Sequence, residues 1–473
     1  MRNNVSQTLK KSVAALAVAA VLLPPAVSAQ SLEQAVASAL DTHPQIKQAF
    51  NRFKASEEQI NQASASYYPT INFDAGIGRE WTESPSTRRD SALYGVDENV
   101  DLTRREIGVS LRQVLFSGFQ TTNEVKRTEY EASAEQWTLF STAEDLALEV
   151  TRAYLEFMRA EQVVVLAERN LASHQTIFEQ VKQKTDSGLG STADLSQVTG
   201  RLARAHSNLI SAQNNLSDSR VAYQRLVSVA PQDTRIPVPD AIMLPTTLEQ
   251  ALSLAKENHP TLKAAGSDIN AAMAQRDASK SNYYPQVTFD LSASWDDNLD
   301  GNDGTTANPN DTIGADVGGN SDEVLAMVRI NYNLFSGGAD RAREREAAYS
   351  INESKAIQLN AYQDIEEGTT LAWNARVFLK QQMQYLRQHV EAALETRNAY
   401  DDQFKIGQRT LIDVLDAENE LFQARREYLT AEYDDLIAQY RLLNATGSLL
   451  ESLRITTPAV WDGENSNTGG AQS

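Results

Sequence analysis

The sequence predicts a mixed fold, in which very long α-helices are combined with four amphipathic strands of the membrane β kind, and it predicts that one structural unit is used twice. Three observations carry this. Segments recur at a nearly fixed offset, two pairs of runs alternate apolar and polar residues with period two, and two helical stretches far exceed ordinary length. SLEQAVASALDTHP (31–44) recurs as TLEQALSLAKENHP (247–260), YYP at 67–69 as YYP at 283–285, and LFSG at 115–118 as LFSG at 334–337. The first pairs are 216 residues apart and the last 219, so three extra residues lie between YYP and LFSG in the second copy. A chain of 473 residues that would ordinarily suggest several domains is thus read as a duplication.

Residues 1–29 carry Arg2, Lys10 and Lys11, an apolar run from Val13 to Leu23, and Val27-Ser28-Ala29 before Gln30. This is the pattern of a secretory signal peptide, so the mature chain is expected to begin at Gln30. The sequence contains no cysteine, which leaves no disulfide framework, thiolate metal site or lipidated cysteine. The net charge of −20 becomes −23 once the three cations of the signal are removed, which argues against a nucleic-acid partner.

The first repeat is assigned to 30–227 and the second to 247–455, joined by a linker (228–246) that contains Pro231, Pro237, Pro239 and Pro245. The tail, 456–473, is expected to be flexible, its last residues from Asn465 being small and polar. Each repeat opens with a helix, about 31–65 and 247–281, ended by Pro69 or Pro285. Alternating runs follow: Ile71, Phe73, Ala75 and Ile77, with a return through Ile107, Val109 and Leu111; then Val287, Phe289, Leu291, Ala293 and Trp295, with a return through Val328, Ile330, Tyr332 and Leu334. A half-buried soluble sheet and a membrane barrel share this pattern. The aromatics favour the barrel. Tyr67, Tyr68, Phe116, Tyr283, Tyr284 and Phe335 all fall where strands meet helices, as an interfacial girdle would.

The joining segments, Trp81–Arg105 and Asp296–Glu323, are polar and read as external loops; DGNDG in the second lacks the spacing of a calcium loop. From Phe119 to about Lys184 and from Ala339 to about Phe404 the pattern is helical, each stretch about 100 Å long if continuous. The returning helices keep a seven-residue rhythm, Leu195, Leu202, Leu209, Leu216 and Tyr223 in one, Leu415, Phe422, Leu429, Leu436 and Leu443 in the other. That rhythm implies left-handed supercoiling. Four strands cannot close a barrel, so the missing edges must come from other copies of the chain, two or three of which would satisfy closure.

The candidate site is Phe404–Ala417, FKIGQRTLIDVLDA. Gly407 breaks the long helix, as Gly188 does 219 residues earlier, and Thr410 is placed to cap the next helix. Asp413 and Asp416, three apart, share one side of that helix. A capping box from Thr410 to Asp413 accounts for Asp413 without function, whereas no cap requires Asp416. No catalytic constellation is visible: the five histidines are scattered, and no GxxxxGK[ST] phosphate loop is present.

With the two-fold order of helix, YYP, strand pair, LFSG and long helix, the run GQRTLIDVLDA resembles the TolC family of outer-membrane export channels, and the resemblance covers nearly the whole mature chain. It implies a homotrimer with a 12-stranded barrel in the outer membrane and a helical tunnel across the periplasm. The tunnel is closed at its far end by coiled helices around a ring of acidic residues. Asp413 and Asp416 match the ring. The resemblance further implies a gate latch to which Arg409, Phe404 and Asp194 correspond, with Phe404 where a tyrosine is usual and Ala193 where a threonine is usual; an Arg409–Asp194 contact is then the expected latch. The implied partners are a periplasmic adaptor and an inner-membrane ABC transporter or efflux pump. FxxGQRTLIDVLDAENELFQARREY looks most like the secretion members, which implies a type I secretion duct for an unfolded protein, such as a large repeat adhesin or toxin. The alternative is tripartite drug or metal efflux. No cofactor, metal or catalytic activity is implied. A coiled-coil surface protein would explain the heptads but not the strand pairs.

Overall fold

The computed structural model describes residues 30–95, 97–300 and 318–463. The signal segment, the middle of the second strand-joining segment and the last ten residues of the tail lie outside the described residues. The chain divides into a unit made of Met1–Ala49, Leu139–Pro260 and Tyr362–Asp462, and a unit made of Phe50–Thr138, Thr261–Ala361 and Gly463–Ser473.

Both halves of the chain run through the same order of elements, helix pair, strand pair and long helical hairpin, with one short helix added in each at a different place. In the first these are α1 (Leu32–Thr42), α2 (Pro44–Ser64), β1 (Thr70–Glu83), α3 (Pro85–Tyr94), β2 (Asn99–Phe116), α4 (Gln120–Asp186) and α5 (Thr192–Val227). The second contains α6 (Leu248–Asn258), α7 (Pro260–Ser279), β3 (Gln286–Asn298), β4 (Gly319–Asn331), α8 (Ala339–Lys405), α9 (Leu411–Ala445) and the short α10 (Leu449–Ser452). No helix or strand occurs in 228–246. Among the described residues, no helix is long and apolar enough to cross a membrane.

The expected opening helix of each repeat is two helices. His43 (ψ 134°) and His259 (ψ 123°) are extended, because each precedes a proline whose ring disfavours helical backbone there. Pro44 and Pro260 then start the second helix, a position where the missing N–H costs nothing.

The strands form one antiparallel sheet in the order β1-β2-β3-β4. Phe73 pairs with Val109, Val109 with Ala293, Ile107 with Trp295, and Val287 with Ile330, which places the apolar set of every strand on one face. That face is uncovered: Ile71, Phe73 and Ile77 are 66, 69 and 74% exposed. A half-buried soluble sheet would have covered it, so the structure favours the barrel reading. The opposite face is ion-paired. Asp290 meets Arg112 at 2.7 Å and Arg329 at 3.1 Å, and Arg104 meets Glu80 and Asp296 at 3.3 Å each. Among the described residues, β1 and β4 each have one edge without a strand partner.

The strands also run further than the alternation suggested, to 14 and 18 residues in β1 and β2. The first joining segment is therefore not an open loop: Trp81–Glu83 and Asn99–Arg105 belong to the ladder, held by Arg79 to Asp101 at 2.7 Å, and α3 lies between them behind a Ser84 capping box and Pro85. In the opposite sense, β4 ends at Asn331, short of Tyr332 and Leu334.

The aromatic girdle stands at the helix ends of the strands, with Tyr67, Tyr68, Tyr283, Tyr284 and Phe335 all exposed and Phe116 half-buried. Phe119, which the pattern did not flag, links two of them edge-on, its ring centroid 5.4 Å from Phe116 and 5.7 Å from Tyr284. The glycine of the first LFSG has a steric reason: Gly118 (φ +63°) packs so closely that a Cβ would lie 2.6 Å from the Ser281 carbonyl oxygen.

The other unit is helical. The buried seam of α5 is Val198, Ala205 and Ala212, and the leucines of its heptad flank it half-buried. In α9, Leu415, Phe422 and Leu443 are buried and Leu429 and Leu436 half-buried. The linker is tied down by Tyr154, whose hydroxyl accepts from Arg235 N–H at 2.9 Å and lies 2.8 Å from the Arg235 carbonyl and 3.0 Å from that of Gln30. The expected flexible tail is ordered at its start: Trp461 is 4% exposed and meets Phe140 edge-on, which fixes the chain as far as 462.

Before it reaches Trp461 the chain is caught by a buried acid. The carboxylate of Glu144 in α4 accepts from Leu449 N–H at 3.1 Å and Leu450 N–H at 3.2 Å, the free donors of the first turn of α10. Burial pushes the Glu144 pKa up to about 8 against the pull of those two N–H groups. The folded value lies above the ordinary 4.5, so the folded state holds the extra proton and stability is lost as pH rises between the two values. Glu144→Gln is expected to flatten the fall in thermal stability of the purified protein from about pH 5 to about pH 8. A wild-type slope in the variant would assign the titration to another group.

Candidate functional site

Two helical hairpins end in the same turn chemistry. After α4, Gly188 N–H donates to the Thr185 carbonyl at 3.0 Å and Leu189 N–H to the Lys184 carbonyl at 2.9 Å. After α8, Gly407 N–H donates to Phe404 at 3.1 Å and Gln408 N–H to Gln403 at 2.8 Å. Each is a Schellman motif whose glycine has φ +77°, the left-handed conformation that makes glycine the natural residue at 188 and 407. Gly190, which the sequence pattern did not single out, is needed as well, since a Cβ there would lie 2.7 Å from Thr185 Oγ1.

The returning helices are capped differently. Ser191 accepts from Ala193 N–H at 3.1 Å to start α5, without a reciprocal bond. Thr410 starts α9 with a full capping box: its Oγ1 accepts from Asp413 N–H at 3.4 Å, while Asp413 Oδ2 accepts from Thr410 N–H at 3.3 Å and from Thr410 Oγ1 at 2.8 Å. The local role open to Asp413 from sequence is thus present.

Beneath the turns, Ile177 and Val181 of α4, Val198 of α5, and Leu411, Val414 and Leu415 of α9 form one buried cluster. Phe404 packs against it, and the Lys184 ammonium stands 4.6 Å from its ring centroid, a cation–π contact between the repeats. Arg409 does not meet Asp194 within one chain. Its Nε donates to Gln403 Oε1 at 2.9 Å, its guanidinium lies 4.3 Å from the Tyr400 centroid, and its Nη1 is 3.8 Å from Asp413 Oδ2. Asp194 lies in the first turn of α5, where a carboxylate suits the helix dipole.

An ion pair crosses between the hairpins at their tips, in addition to Arg159 with Asp434 at 3.4 Å further along, and was not foreseen. Arg201 Nη2 of α5 donates to Asp416 Oδ1 of α9 at 2.6 Å. Arg201 stands one heptad beyond Asp194, so the rhythm already read in α5 could have placed it on the same side. A second pair lies deeper: Arg397 of α8 is 3.0 Å from the buried Glu418 of α9, whose pKa burial raises and the Arg397 and His174 charges oppose. His174, also buried, has Nδ1 3.0 Å from the Asn170 carbonyl.

The described residues of one chain gather no cluster of three metal-ligating groups. What the tip presents is carboxylates and guanidinium groups at the hairpin ends.

Residues 35–228 and 251–448 match the family model described as outer membrane efflux protein. The chain is 26% identical to the outer membrane efflux protein BepC of Brucella suis over 95% of its length and 92% of that relative, and 23% identical to the outer membrane protein TolC of Vibrio cholerae over 90% and 92%. It is 22% identical to the alkaline protease secretion protein AprF of Pseudomonas aeruginosa over 88% and 84%. Its fold superposes on the crystal structure of the CmeC outer membrane channel of Campylobacter jejuni with a TM-score of 0.74, at 14% identity, over 88% of this chain and 86% of that one.

Alanine at position 407 forces a side chain into the left-handed region, so Gly407→Ala is expected to loosen the second hairpin tip by about 1 kcal/mol or somewhat more. Limited trypsinolysis between Lys405 and Arg409 should accelerate accordingly. Gly200→Ala, at a helical site with open space around it, should leave cleavage at wild-type rate.

Proposed function

Because the chain belongs to the outer membrane efflux protein family, whose TolC-type members are trimeric outer-membrane channels working with adaptors and inner-membrane transporters, we propose that it is the outer-membrane duct of a type I secretion system, passing an unfolded protein. The observation that carries the passage itself is the sheet, apolar and bare on one face, ion-paired on the other, and open at both edges. Three copies would pair those edges and close a barrel of twelve strands, the ion-paired face inward. The two repeats, 30–227 and 247–455, would supply two hairpins each, with 228–246 as linker, and the helical tips would meet a periplasmic adaptor and, through it, an ABC transporter. Energy would come from that transporter.

Secretion is supported by the run from Phe404 to Tyr428, which looks most like secretion members, and by the AprF relative, named for alkaline protease secretion. The efflux reading is supported by BepC, named an efflux protein. The two separate in a deletion strain. Loss of one large protein from the exported set with unchanged antibiotic sensitivity is expected; unchanged exported proteins with raised sensitivity would establish efflux instead.

At the periplasmic end, Asp413 and Asp416 from three chains would place six carboxylates around one entrance, a site for multivalent cations. Divalent or trivalent cations added from that side are expected to block purified channels in planar bilayers, and the Asp413→Ala, Asp416→Ala double variant to abolish the block. An undiminished block in the double variant would move the constriction elsewhere.

A further inference from the structure

We propose that Arg201 is the built-in countercharge of this entrance, a residue that sets its cation selectivity and ties that selectivity to the closed arrangement of the hairpins. The proposal rests on the reading of Asp413 and Asp416 as the constriction. The two acids are not equivalent. Asp413 Oδ2 is already engaged by the N–H and hydroxyl of Thr410 at 3.3 and 2.8 Å, with Arg409 at 3.8 Å. Asp416 has no such local role, and its side chain is 57% exposed. Its partner is Arg201 alone, at 2.6 Å, reaching from the other repeat.

Among the described residues this is the one ion pair between the two returning helices, α5 and α9. With it in place, the Asp416 charge is offset by a guanidinium that cannot lose its proton. If α5 moves away from α9 as the tip opens, the same displacement removes the cation and bares the carboxylate. The entrance is then less acidic when shut than when open, by the charge of Asp416 in each chain. The same displacement separates Val198 of α5 from Leu411, Val414 and Leu415 of α9, so the resistance to opening lies in that buried cluster rather than in the ion pair. An exposed pair of this kind is also too weak to hold a gate against the apolar cluster beneath it, so its main effect is on charge.

The test uses full-length trimers in planar bilayers with lanthanum(III) as the probe. Wild type, Arg201→Gln, Arg201→Lys, Asp416→Asn and the Arg201→Gln, Asp416→Asn double variant are compared by blocking concentration and by reversal potential in a salt gradient. Arg201→Gln is expected to lower the blocking concentration about tenfold and raise cation selectivity, a trivalent ion gaining strongly from each uncovered negative charge nearby. Arg201→Lys should stay close to wild type, and in the Asp416→Asn background Arg201→Gln should have a much smaller effect. Wild-type block and selectivity in Arg201→Gln, or an equal effect of Arg201→Gln with and without Asp416, would overturn the proposal. Absence of block in the wild type would instead overturn the constriction reading on which it rests. If Arg201→Gln trimers were scarce, the reversal potential of Arg201→Lys against Arg201→Met would decide the same question.

Discussion

A strand in lipid has no water to satisfy its backbone, and each N–H or C=O left open there costs several kcal/mol. That constraint governs the chain. The four-stranded sheet is complete in itself except along β1 and β4, and its apolar face is bare in a single chain. An isolated copy is therefore an unfinished object, and the outer membrane is a place where it becomes finished. Exposed tyrosines and phenylalanines gather at the helix end of the strands. Within the other unit the same accounting is met locally: Schellman turns close both hairpins and side-chain oxygens cap both returning helices.

The tip adds charge to this frame. One carboxylate there serves its own helix, the other serves a partner in the other repeat, and Phe404 is faced by a lysine of the first repeat. Duplication has kept the turn geometry at Gly188 and Gly407 while allowing the caps and charges around it to diverge. The diverged residues, not the repeated ones, distinguish these tips from a generic helical hairpin.

Much of this was legible in the sequence because it rests on periodicity and punctuation. Alternation over Ile71–Ile77, the glycines at 188 and 407, and the Thr410–Asp413 box are local patterns with local causes, and the structure contains each of them. What was misread depends on partners far along the chain or on lengths that periodicity does not fix. The ladder extends through Trp81 and Asn99 because the strands face each other there, and Trp461 is buried because Phe140, more than three hundred residues earlier, supplies its wall. Arg409, matched to Asp194 by position, has Gln403 and Tyr400 as its contacts within one chain, and the Arg201–Asp416 pair joins residues 215 apart in sequence, beyond the reach of any local pattern.

The carboxylate of Glu144 waits for donors that arrive 305 and 306 residues later. β2, likewise, must wait for β3 across more than half a repeat. A chain wired this way has high contact order and cannot be completed while its last segment is still being translocated. That suits a polypeptide which has to cross one membrane as a thread before assembling in another. Its vulnerability is then concentrated in the interval between release and closure, when the apolar strand faces are already present and their neighbours are not.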